Sequence, residues 1–115
     1  MRRLLVVLSL LLAHIASASS ERCVDDDRNV KVCLDAPATR IIALSPGATE
    51  LLYAAGAGDK LIAAVSFSDY PDEAKTLPRV GSYNRFDLEA ILSLTPDLLI
   101  GWHSGNPTEQ LAQLE

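Results

Sequence analysis

No apolar run in this 115-residue sequence approaches the roughly 20 residues that a membrane-spanning helix needs; the longest, residues 4–13, is interrupted by Ser9. No transmembrane anchor is expected, and no direct membrane insertion. Basic residues are scarce as well: ten Lys and Arg stand against fifteen Asp and Glu, a net charge of −5, and no basic cluster follows Arg2-Arg3. Binding to a nucleic-acid backbone needs concentrated positive charge, so that class of partner is excluded. Aromatic residues make up 5% of the chain, and there are two cysteines, without a CxxC spacing or a neighbouring histidine to complete a zinc site. With 49% apolar and 22% charged residues, the chain is neither low-complexity nor long enough for more than one small domain.

What is present begins with a secretory signal at residues 1–18. Arg2-Arg3 form the charged segment, residues 4–13 the apolar segment, and Ala16-Ser17-Ala18 the small-x-small cleavage pattern. Its apolar residues run all round a helix rather than along one stripe, unlike an amphipathic first helix. Ser20-Glu21-Arg22 before Cys23 is not the small apolar triplet of a lipid-modified cysteine. Cleavage removes two basic groups and no acidic one, leaving a more acidic product that is soluble in the periplasm or outside the cell.

Export bears on Cys23 and Cys33. Between them lies an Asp- and Asn-rich centre, followed by Val30, Val32 and Leu34 alternating with polar neighbours, the pattern of a β-hairpin. An oxidising compartment and an even count predict one disulfide across it, within a hairpin and linker at residues 19–39.

From residue 40 to 115 the pattern becomes α/β. Apolar runs at residues 40–44, 61–65 and 98–102 read as buried strands. Residues 48–55 and 88–94 read as helices, the second capped by Asp87 and ended by Thr95-Pro96. A last helix opens at Asn106-Pro107-Thr108-Glu109, with Asn106 as its cap. The expectation is a parallel sheet flanked by helices, whose ligands collect beyond the carboxyl ends of the strands. Those ends are Ser45-Pro46-Gly47, Ser66-Phe67-Ser68-Asp69-Tyr70 and Trp102-His103-Ser104-Gly105-Asn106. Phe67, Tyr70, Tyr83 and Trp102 all fall in or near these loops, none in mid-strand. In an aromatic-poor chain this invites a flat, partly apolar ligand.

Enzymatic readings fare worse. The first strand-to-helix turn reads Ser45-Pro46-Gly47-Ala48-Thr49-Glu50 where a dinucleotide fold needs GxGxxG. Ser45 or Ser104 with His103 lacks a GxSxG elbow, and Asp69 with Asp72 fits loop solvation and capping better than acid–base work.

The segments Arg40-Ile-Ile-Ala-Leu-Ser-Pro-Gly-Ala-Thr-Glu-Leu-Leu52, Ser68-Asp-Tyr-Pro71, Pro78-Arg-Val-Gly-Ser-Tyr83, Asp87-Leu-Glu-Ala-Ile91 and Thr95-Pro-Asp-Leu-Leu-Ile100 closely resemble the amino-terminal lobe of periplasmic binding proteins serving ABC importers of vitamin B12, siderophores and haem. The resemblance is greatest to the cobalamin branch. It implies a non-enzymatic protein of two α/β lobes bridged by a long helix, with ligand held between them and little hinge closure. Glu115 falls where relatives continue, so the sequence reads as the first lobe of a fragment or truncated product.

By the same resemblance, Phe67, Tyr83 and Trp102 line the corrinoid site; independently of it, a large ring with an amide fringe suits the loop hydroxyls of Ser45 and Ser66 and the loop aromatic Tyr70. Phe67 and Tyr83 stand where the best-known relative carries Tyr and Trp. Cobalamin is then the transported ligand rather than a cofactor, and no protein metal ligand is expected; His103 reads as a solvated loop residue. Haem or a ferric siderophore is the alternative within the fold, with Tyr70 or Tyr83 as iron ligand. An exported α/β enzyme with its active residues elsewhere is the alternative of another class. Glu89, in Asp87-Leu88-Glu89, matches the glutamate that pairs with arginines on the permease.

Overall fold

A computed structural model describes residues 20–115; residues 1–18, expected from sequence to be a secretory signal, lie outside the described residues. The chain opens with a hairpin of β1 (Arg22–Asp25) and β2 (Lys31–Leu34), in which Cys23 pairs with Cys33 in register and a disulfide joins them. Asp26 builds the turn: its carboxylate accepts the N–H groups of Arg28 (2.8 Å) and Val30 (3.0 Å), while Asn29 takes a left-handed backbone at φ 59°.

The α/β lobe follows as the sequence predicts. Strands β3 (Ile41–Ala43), β4 (Leu61–Ala63) and β7 (Leu98–Ile100) form a parallel sheet in the order β4-β3-β7. The helices are α1 (Pro46–Ala54), α2 (Leu88–Ser93) and α3 (Thr108–Leu114). Alternation along β3 divides the core. Ile41 and Ala43 pack toward Leu52 and Tyr53 of α1, whereas Ile42 and Leu44 join Ile91 of α2 and Leu111 and Leu114 of α3 on the opposite face. Asp87 caps α2 as expected, its carboxylate accepting Ala90 N–H at 3.1 Å.

Two features depart from the sequence expectation. Residues 78–81, a proline-bearing stretch outside the three apolar runs, run parallel beside β4: Ala64 N–H donates to Pro78 (3.0 Å), Val80 N–H to Ala64 (3.0 Å) and Ser66 N–H to Gly81 (2.9 Å). Pro78 has no N–H to give, which suits an edge position. The chain then turns through a tight hairpin of β5 (Gly81–Ser82) and β6 (Arg85–Phe86), with Tyr83 and Asn84 at its tip. Asn106 does not cap α3. Pro107 occupies that position without a side-chain bond, and the Asn106 amide is used elsewhere.

Candidate functional site

From β3 the chain steps outward through α1 to β4 and the 78–81 edge, then returns to the other side of β3 as β7. Strand order therefore reverses at β3, and in sheets of this kind ligands collect beyond the carboxyl ends at such a reversal, here those of β3 and β7. The loops there are those after Leu44, after Ile100 and at the β5–β6 tip.

Two of the predicted rings meet among these loops. Tyr83 and Trp102 lie with centroids 5.9 Å apart and planes tilted by 43°. They stay 41% and 48% exposed, so the pair presents a half-open aromatic surface rather than filling the core. The Trp102 indole rests on Gly105, where a Cβ would come within 2.1 Å of the ring.

Phe67 stands on the neighbouring loop, 82% exposed, with its backbone in the left-handed region at φ 65°. A non-glycine residue holds that conformation only where surrounding bonds demand it. Here Arg79 donates to the carbonyls of Val65 (3.3 Å) and Ser68 (3.0 Å) and to the Asp69 carboxylate (3.2 Å), and Ser68 N–H donates to Val65 (3.3 Å). Tyr70, after this turn, is exposed as well. Gly81 is required at the opposite side of the loop: its φ is 96°, and a Cβ would meet the Arg85 carbonyl at 2.4 Å.

The two serines named from sequence are spent inside the lobe. Ser45 is 5% exposed, and its Oγ accepts Ala48 N–H at 3.1 Å as the cap of α1. The Ser66 hydroxyl donates to the Gly81 carbonyl at 3.1 Å. Both shape the loops around the rings. His103 is exposed and lines a groove of about 560 Å³ between the first hairpin and the α2–α3 face, shared with Val32, Leu92, Leu98 and Leu111. Glu89 lies exposed in the first turn of α2.

Sequence reasoning missed the residue that ties these loops together. Asn106 is 6% exposed; its amide nitrogen donates to the carbonyls of Tyr83 (2.7 Å) and Leu44 (2.9 Å), and its oxygen accepts Trp102 N–H (2.6 Å). The Asn-Pro-Thr-Glu pattern points to a local cap, and no local pattern encodes partners 23 and 62 residues away.

A family model described as periplasmic binding protein matches residues 41–115. The chain belongs to the periplasmic binding protein family. It is 54% identical over 80 residues to a vitamin B12-binding protein of Vibrio vulnificus, a match covering 70% of this chain and 29% of the relative. Among solved structures, it is similar to the periplasmic vitamin B12-binding protein of Vibrio cholerae, with a TM-score of 0.66 and 54% identity over 68% of this chain and 31% of that one. It is also similar to a periplasmic haem-binding protein of Roseiflexus sp. RS-1, with a TM-score of 0.62 and 38% identity over 68% of this chain and 30% of that one. The chain thus spans about 29% of the length of the curated relatives it matches, corresponding to their amino-terminal lobe.

Proposed function

We propose that this chain supplies the amino-terminal lobe of a substrate-binding protein that captures cobalamin in the periplasm and delivers it to the permease of an ABC importer. The observation that carries this reading is the half-open Tyr83–Trp102 pair at the switch point of a sheet whose sequence is 54% identical to proteins named for vitamin B12 binding. A corrinoid offers a broad ring face with an amide fringe, suited to tilted aromatic rings surrounded by loop peptide groups. Phe67 extends the aromatic surface, Tyr70 borders it, and Ser45 and Ser66 hold the loops in shape. Binding is non-covalent, with cobalamin as cargo and no protein ligand to cobalt. Residues 1–18 direct export, and Glu89 is the charge the lobe presents to the permease.

Titration calorimetry on the protein at its full natural length, with cyanocobalamin, haemin and a ferric siderophore, tests this reading. Preference for cyanocobalamin is expected, with His103→Ala close to wild type. Preference for haemin, with a Soret shift abolished by removing Tyr70 or Tyr83, would move the protein to the haem branch instead.

A further inference from the structure

We propose that Asn106 is a positioning residue that presets the Tyr83–Trp102 pair before any ligand arrives, an assignment whose affinity arm rests on the cobalamin reading. The buried carboxamide is the common partner of both ring-bearing residues: it donates to the Tyr83 carbonyl and accepts the Trp102 N–H, while its second donor anchors to the Leu44 carbonyl at the end of the central strand. No other natural side chain of this size offers two N–H donors and one acceptor in one plane. The Trp102 carbonyl closes the loop by accepting Asn106 N–H (2.8 Å) and Gly105 N–H (3.0 Å), and Gly105 leaves the space into which the indole folds. The tip of the β5–β6 hairpin and the loop after β7 are therefore held at one distance by a single amide. Ring geometry set in advance removes an ordering cost that a ligand would otherwise meet.

The test uses the protein at its full natural length. The near-ultraviolet circular dichroism band lost in both Tyr83→Ala and Trp102→Phe marks coupling between the two rings. Asn106→Ala is expected to lose that band and to weaken cyanocobalamin binding about tenfold, because the rings must then be ordered on binding, while unfolding stays cooperative. Asn106→Asp keeps the shape and the acceptor for Trp102 but sets a carboxylate against two carbonyls. Protonation returns one donor, so its affinity relative to wild type at the same pH is expected to recover on acidification. A folded Asn106→Ala with a wild-type band and affinity would overturn the assignment. So would an Asn106→Asp deficit that is independent of pH, which decides the matter alone if Asn106→Ala does not fold. A band that depends on Asn106 in a wild-type protein that binds no cyanocobalamin would leave the positioning role standing and remove the cobalamin reading.

Discussion

Asp97 sits just before β7, and its carboxylate accepts the N–H groups of Thr39 (2.9 Å) and Arg40 (2.9 Å) and the Thr39 hydroxyl (3.2 Å), fixing where β3 enters the sheet beside β7. The bond from Thr39 N–H is foremost in holding its pKa below the ordinary carboxylate value; desolvation opposes it, and the bonds from Arg40 N–H and the Thr39 hydroxyl add to the lowering. Because the folded value is the lower one, the stabilisation is present above the ordinary carboxylate pKa and lost as pH falls through the depressed one. Asp97→Asn is therefore expected to flatten the fall in melting temperature between about pH 5 and pH 3 relative to wild type, as measured by thermal scans across that range. The aromatic positions were legible at this scale, because Phe67 and Tyr83 lie outside the apolar strand runs and Trp102 stands at the end of one. Asn106 was not, because its partners are distant in sequence and its own neighbourhood imitates a helix start.

Regular elements with a strong local signature formed as read: three short apolar strands, a first helix ending at residues 54–55 and α2 opening at Asp87. Ala57 N–H closes α1 on Leu52 (2.8 Å) and Gly56 N–H on Tyr53 (3.1 Å), a paired ending that a glycine after an apolar helix announces. Asp87→Ala removes the α2 cap and is expected to lower stability by about 1 kcal/mol in chemical denaturation. The 78–81 edge was illegible because a proline-bearing segment that pairs on one side needs neither alternation nor β-branched residues. The first hairpin packs only lightly on the lobe, to which the Arg28–Glu115 ion pair ties its turn: β1 is exposed throughout and β2 only half-buried at Val32 and Leu34. Its disulfide restrains a loop worth roughly 3 kcal/mol in the chain-entropy model, but that constraint acts on the hairpin rather than on the sheet. Reduction is expected to release amide protection at residues 22–34 in hydrogen exchange while leaving protection of β3 and β7 intact. Loss of protection in the central sheet would show instead that the hairpin props up the lobe.

For the molecule as a whole, the sheet places the rings on one edge, while Glu89 is exposed in the first turn of α2. A carboxylate in the first turn of a helix gains about 0.3–1 kcal/mol from the helix dipole without any partner. A docking role demands more. Glu89→Ala is expected to leave cyanocobalamin affinity and melting temperature nearly unchanged and to weaken the salt-sensitive association with permease-containing vesicles. A lowered melting temperature with normal uptake would reduce Glu89 to dipole compensation. If the exposed Tyr83–Trp102 pair is the face that receives a corrinoid, the cyanocobalamin dissociation constants of the wild-type protein and of Trp102→Ala, measured side by side by titration calorimetry at full natural length, must differ. Binding by the wild type and a loss of about tenfold or more in the variant are expected, each ring contributing on the order of 1 kcal/mol beyond its buried area. Equal affinities in two folded proteins would contradict that role of the pair.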